Sequence, residues 1–220
     1  MYPLLKSTVL IISALFPIVN PLGSAPLFLS MTRDYSEEDR KLLSTRIAIN
    51  GFFLLIASYL TGTHILSFFG ISIPVVQVGG GLVLASTGWA MLKQKSNEDE
   101  TKEGVNRTVD RRDLFEKAFY PLTLPLTVGP GSISVAITLG ANEPHMDHQI
   151  LLSIIGAVIG SLVISASVYL CYAFADGLAR ALGSTAMSVI MRLSSFLLVC
   201  IGVQIIWNGV SALLKTIPGL

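Results

Sequence analysis

Two short stretches set proline, glycine, asparagine, serine and threonine inside otherwise apolar runs. The first reads Phe16-Pro17-Ile18-Val19-Asn20-Pro21-Leu22-Gly23-Ser24-Ala25-Pro26. The second reads Pro121-Leu122-Thr123-Leu124-Pro125-Leu126-Thr127-Val128-Gly129-Pro130-Gly131-Ser132. Proline removes a backbone donor and clashes with the preceding turn, at about 3 kcal/mol in a helix interior. Glycine loosens the backbone further. Each cluster therefore predicts an interrupted helix, with a half-helix restarting at about Gly23–Ser24 and at Gly131–Ser132. Such a restart offers unpaired N–H groups and the positive end of the helix dipole, which suits a carboxylate. Ser24 and Ser132 could cap those ends or donate to a ligand. Asn20 and Thr127 add polar contacts of the kind an ammonium needs. The expected substrate-binding set is Asn20, Pro21, Gly23, Ser24, Thr127, Gly129, Gly131 and Ser132.

What surrounds these clusters is not the composition of a soluble protein. Hydrophobic residues make up 52% of the 220 and charged residues 13%, about half the charged share of an ordinary soluble domain. A soluble enzyme is excluded on that ground. The balance of 15 Lys and Arg against 14 Asp and Glu argues against a nucleic-acid partner, which demands a basic surface. Cys171 and Cys200 both lie in apolar runs, without zinc or disulfide spacing, and are expected as small buried packing residues. At the N-terminus, only Lys6 precedes the apolar run, no A-x-A pattern follows, and hydrophobicity continues to Met31. A retained membrane segment is expected there rather than a secretory signal.

A bilayer core about 30 Å thick takes roughly 20 helical residues. Six segments supply that: Thr8–Met31, Leu43–Ile65, Ile73–Leu92, Ala118–Ala141, Ile150–Phe174 and Met187–Leu214. Period-2 alternation is absent, so an all-α polytopic membrane protein is predicted rather than a barrel. At about 1.5 Å per residue, both proline–glycine clusters fall near the bilayer middle, in the first and fourth spans. With the N-terminus outside, the outer ends hold only Lys6 and Lys215, Arg192 lies within the sixth span, and every other Lys and Arg falls inside. Positive residues favour cytoplasmic loops, so both termini are expected outside, in the periplasm or exterior. The charged stretch Gln94–Asp113 is expected to be a flexible cytoplasmic linker.

The two clusters also suggest a repeat. Val-Asn-Pro-Leu-Gly-Ser in the first span answers Val-Gly-Pro-Gly-Ser in the fourth, and the third and sixth spans align with Gly88 on Gly202. A unit of three crossings re-enters with opposite polarity, which makes an inverted repeat. The expected organisation is one transmembrane domain, with a first three-helix repeat at 1–93, the linker at 94–113 and a second repeat at 114–220.

Among the other polar residues, Arg192 is the one intramembrane charge, and Asp176 is a candidate partner for it. Arg192 and Gln77 are the candidates for gating or pathway roles. Asn50, Gln77, Gln204 and Asn208 are expected chiefly as interhelical hydrogen-bonding groups. Gly79-Gly80-Gly81 is expected to let helices approach closely. His145-Met146-Asp147-His148 is expected as a solvated loop, so no metal site is predicted.

These residues, taken together, resemble the MarC family of bacterial inner-membrane proteins, also called the neutral amino acid transporter family. The resemblance covers all six spans. It is carried by Pro17-Ile18-Val19-Asn20-Pro21-Leu22-Gly23-Ser24-Ala25-Pro26-Leu27-Phe28, by Phe69-Gly70-Ile71-Ser72-Ile73-Pro74, and by Gly79-Gly80-Gly81-Leu82. In the second half Pro121-Leu122-Thr123-Leu124-Pro125, Gly129-Pro130-Gly131-Ser132, Arg192-Leu193, Gly202-Val203-Gln204 and Asn208-Gly209 complete it. The resemblance implies a six-span inner-membrane transporter related to LysE-type exporters, with members linked to glycine and alanine transport.

The function expected from residues and resemblance is transport of small neutral amino acids (glycine, alanine, serine) by alternating access. The alternative is an exporter or channel for another small solute or ion, including a drug-efflux role; a small polar site argues against a bulky drug. No H-E-x-x-H, no G-x-S-x-G and no buried Ser/His or Asp/Asp pairing occurs, so an enzyme is not expected. No cofactor is expected. H⁺ or Na⁺ is a candidate coupling ion, unwound carbonyls being the feature that suits Na⁺. The expected partners are the amino acid substrate and the lipid bilayer, with a homo-oligomer left open.

Overall fold

In the computed structural model, which describes residues 2–32, 35–93, 111–142 and 147–216, several helices begin or end on a local signal. Tyr2–Val19 (α1) stops where Asn20 takes left-handed angles, φ 48° and ψ 57°, and Pro21–Met31 (α2) starts at once. Glu37–Phe68 (α3) is capped by Ser36, whose hydroxyl accepts from the Asp39 amide at 3.1 Å, with Glu37, Glu38 and Asp39 in the first turn. Those acids complement the positive end of the helix. At its other end Gly70 has φ 65° and the Ile71 amide reaches back to the Leu66 carbonyl, a Schellman closure that glycine makes without steric cost. Ile73–Lys93 (α4) follows.

The second half opens with Arg111–Lys117 (α5). The stretch Ala118–Thr127 then widens to turns closed five residues apart, with Tyr120 and Leu124 at extended angles and cis bonds before Pro121 and Pro125. Pro130–Ala141 (α6) leaves this stretch at a 70° bend. Asp147–Ala173 (α7) is one unbroken helix. Ala175–Leu214 (α8) changes direction at Gly183, where φ is 77° and ψ 166°. The membrane-crossing part of α8 therefore runs Thr185–Leu214.

Among the described residues, five helical segments are long and apolar enough to cross a bilayer, and the bent pair Leu114–Thr127 with Pro130–Ala141, taken as one span, makes a sixth. The protein is an all-α polytopic membrane protein, as the apolar runs predict. The two interrupted spans differ in kind. The first passes over its break as a single span, Leu4–Met31, whereas the second turns by 70°. Residues 94–110 of the charged linker lie outside the described residues; Arg111–Asp113, expected as linker, already belong to α5.

Lipid exposure explains the outside. Large apolar side chains such as Leu5, Phe53, Leu82, Trp89, Leu162, Phe196, Leu197 and Trp207 are exposed all round the bundle, a surface that water does not tolerate at this extent. The interior instead holds Leu15, Val19, Ala25, Phe28, Ile47, Leu55, Val128, Ala136, Ile164 and Tyr172. Cys171 is half-buried and Cys200 exposed, so the expectation of two buried cysteines fails for Cys200.

Small residues set the helix pairings, as expected where lipid offers no hydrophobic drive for association. In α1 against α7, Gly156 meets Leu4, Ser7 and Thr8, and Gly160 meets Thr8 and Ile11, so the two run parallel. In α4 against α8 the sense is opposite: Gly209 meets Pro74, Gly202 meets Gly81 and Ala85, and Gly88 meets Ser195 and Val199. These contacts pair up. The displacement that carries Gly88 onto Gly202 also carries Gly81 onto Ser195 and Ala85 onto Val199. Gly80 and Gly81 thus perform the close approach expected of the glycine run, while Gly79 faces open space.

Candidate functional site

The two breaks restart earlier than the sequence suggests, at Pro21 and Pro130, because proline suits the first helical position where no donor is needed. Their N-termini are finished differently. Asn20 caps α2 with its own side chain, Oδ1 accepting from the Gly23 amide at 3.2 Å, and the Ser24 amide already bonds the Asn20 carbonyl at 3.0 Å. The Asn20 Nδ2 is buried without a partner. The first half-helix therefore keeps little of its positive end for a ligand. Gly129 caps α6 with no side chain to contribute, and Ile133 is the first amide taken up, bonding the Gly129 carbonyl at 3.1 Å. Of the two restarts, α6 is the one without a side-chain cap.

Between the breaks lies an enclosed cavity of about 30 Å³, the space of about one water molecule. Ser24 lines it from the first break, Thr127, Gly129, Pro130, Gly131 and Ser132 from the second, and Leu84 and Thr87 from α4. Five of the eight expected binding residues thus meet at one place. Asn20, Pro21 and Gly23 do not line it. Gly23 instead gives room to Ser194 of α8, and Gly131 to Leu84 of α4. Ser24, Thr127 and Ser132 are all buried. The Ser132 hydroxyl donates to the Gly129 carbonyl at 2.9 Å, which leaves its oxygen able to accept.

The proline–threonine stretch before the cavity repairs its own backbone. The Thr123 hydroxyl donates to the Ala118 carbonyl at 2.6 Å and the Thr127 hydroxyl to the Leu122 carbonyl at 2.7 Å, each five residues back. Buried carbonyls left open by irregular backbone cannot find water in lipid, so side chains must serve them. Each hydroxyl also meets another helix: Asn50 donates to Thr123 at 3.5 Å, and Tyr172 lies 3.0 Å from Thr127. Thr123 and Tyr172 were not among the expected site residues. The repeat of Pro-Leu-Thr at 121–123 and 125–127 was the available signal for the first; a phenol inside an apolar span was the one for the second.

The gating candidates lie elsewhere. Gln77 donates to Thr138 of α6 at 3.4 Å, an interhelical bond. Arg192 is exposed on α8 and makes no ion pair among the described residues. Its suggested partner Asp176 pairs with Arg40 at 2.5 Å, and Arg40 also donates to the Thr32 and Tyr35 carbonyls. Gln204 bonds Asn208 within α8 rather than across helices. His145 and Met146 lie outside the described residues, whereas Asp147 and His148, expected in the same loop, open α7. A larger hollow of about 460 Å³ between α3 and α7 is apolar and open to the lipid side, lined by Phe52, Phe53 and Leu162 among others.

The comparisons bear on the whole chain. The model of the MarC family of integral membrane proteins matches residues 5–214. Proteins named inner membrane protein MarC are similar throughout. Those of Citrobacter koseri and Salmonella typhimurium are each 31% identical over 219 residues, covering 98% of this chain and 99% of theirs. That of Escherichia coli is 31% identical over 229 residues, with the same coverage. No solved structure matches. A family model matched over nearly all its length, on a bundle built to cross a bilayer, means that this chain belongs to the MarC family of integral membrane proteins.

Proposed function

We propose that this protein is an inner-membrane transporter of small neutral amino acids, such as glycine, alanine and serine, working by alternating access. The observation that carries the reading is the cavity where both breaks meet, with the uncapped start of α6 on its wall. A substrate carboxylate would meet the Gly131 and Ser132 amides, and its ammonium the hydroxyl oxygens of Ser24, Thr127 and Ser132. At about one water in volume the cavity is closed around its centre, so an amino acid enters only after the walls separate. Its small size, with the hydroxyls of Ser24, Thr127 and Ser132 set among apolar neighbours such as Leu84 and Leu198, suits a small zwitterion better than a bulky drug.

The same reading includes an inverted repeat of three spans. The reciprocal contacts of α4 and α8 support it: Gly81 with Gly202 answers Ser195 with Gly88. So do the cross-packings in which Gly80 of α4 meets Ser134 of α6, and Gly23 of α2 meets Ser194 of α8. Two such halves rocking about a central site is how inverted repeats alternate access. Both termini would then face outward, with Arg40, Arg46, Lys93, Lys117 and Arg180 at the cytoplasmic side.

The test is uptake by the purified protein in liposomes across a panel of labelled amino acids, with imposed H⁺ or Na⁺ gradients. Saturable uptake of glycine or alanine, driven by one gradient, is expected. Vesicles no more permeable to any amino acid than protein-free controls would reject the reading.

A further inference from the structure

Tyr172 does not line the cavity, yet it touches both of the elements that do. Its ring is fully buried and stacks on Phe28 of α2, with centroids 4.5 Å apart and planes 9° from parallel. Its hydroxyl lies 3.0 Å from the Thr127 hydroxyl. The direction of that bond follows from proton counting. Thr127 has one hydroxyl proton and gives it to the Leu122 carbonyl at 2.7 Å, so it accepts from Tyr172, which donates. Tyr172 thus links its stack on Phe28 of α2, in the half-helix after the first break, to Thr127 and the Leu122 carbonyl of the second.

Among the described residues, no side-chain hydrogen bond joins the two breaks directly, so the stack and the Thr127 bond of Tyr172 bridge them. The ring, carried by α7, packs on α2, while the hydroxyl holds the proline–threonine stretch. We propose that Tyr172 is a positioning residue that keeps the two breaks closed around the cavity, and that its bond to Thr127 must open before the cavity enlarges. The proposal rests on the cavity being the substrate site. Buried hydrogen bonds of this kind have two discrete states, made or broken, and a low dielectric sharpens the difference between them.

The test needs no substrate. Cys171 and Cys200 are replaced by alanine and a single reporter, Thr87→Cys, is placed on the cavity wall. Its rate of modification by methanethiosulfonate ethylammonium is measured on the whole protein in liposomes. Tyr172→Phe keeps the ring stack and removes only the hydroxyl. It should speed labelling about two- to tenfold, the equivalent of one buried neutral hydrogen bond. Thr127→Val removes that tie and also the bond to the Leu122 carbonyl, so it should speed labelling at least as much, and adding Tyr172→Phe to it should speed labelling no further. Should Tyr172→Phe fail to fold, Thr127→Val decides alone. An unchanged or slower rate in the folded variants, or additive effects, overturns the proposal. In glycine uptake, Tyr172→Phe should lower KM by the same factor, because a more populated open state binds more tightly; a raised KM overturns it as well. The labelling result stands whether or not glycine is transported, so the two readings fail separately.

Discussion

Asn20 shows how much one residue can decide. It holds left-handed angles that cost most L-residues about 1 kcal/mol or more, and its side chain caps the helix that follows. Asn20→Ala loses both the conformational tolerance and the cap, and should destabilise the protein by about 1–2 kcal/mol. Asn20→Gly, which loses the cap but fits the angles, should cost only a few tenths of that unit. Thermal unfolding in detergent reads the difference between them. Asparagine before proline was legible as a break, because both residue types oppose a continuous helix. Its use as a cap rather than a substrate ligand was not, since the same amide can serve either purpose until the chain's angles are known. The pairing of Asp176 with Arg40 was hidden for a similar reason: the Gly183 turn decides where the membrane-crossing part of α8 begins, and hydropathy says nothing of it.

At the scale of the element, the second break is the more elaborate of the two. Proline supplies no amide, and Thr123 and Thr127 answer with hydroxyls to carbonyls five residues back. Thr123→Val keeps the shape and removes the hydroxyl, leaving the Ala118 carbonyl without its donor and the Asn50 amide without its acceptor. A loss of about 1–3 kcal/mol is expected in the same unfolding measurement. Interruption of the first and fourth spans was readable from proline and glycine spacing. The difference between a break passed as a single span and a 70° bend was not. It depends on whether one residue or a ten-residue stretch leaves helical geometry, and local composition looks alike in both. The glycine-lined pairing of α4 with α8 makes its own demand. A Cβ at Gly202 would lie 2.6 Å from the Ala85 nitrogen and 2.8 Å from the Gly81 carbonyl oxygen, both backbone atoms that cannot swing aside. Gly202→Val should therefore destabilise by about 1–3 kcal/mol through overpacking, and unfolding midpoints against Gly79→Val, which meets open space, would show it.

For the whole molecule, parallel α1 and α7 together with antiparallel α4 and α8 agree with crossings that alternate in polarity. Hydrophobic runs predicted that count because lipid imposes a fixed length on each. Charge placement adds an absolute direction. Alkaline phosphatase, which is active only outside the cytoplasm, should be active when fused after Leu220 and inactive when fused within the 94–110 linker. The reverse pattern would invert the orientation. The central claim concerns the space between the two breaks, and glycine uptake kinetics of Ser132→Ala in liposomes test it most directly. Removing a hydroxyl from the cavity wall should raise KM for glycine about two- to tenfold with folding intact, whereas Thr45→Ala, in the lipid-facing hollow between α3 and α7, should leave it unchanged. Equal KM values in wild type and Ser132→Ala would contradict the account.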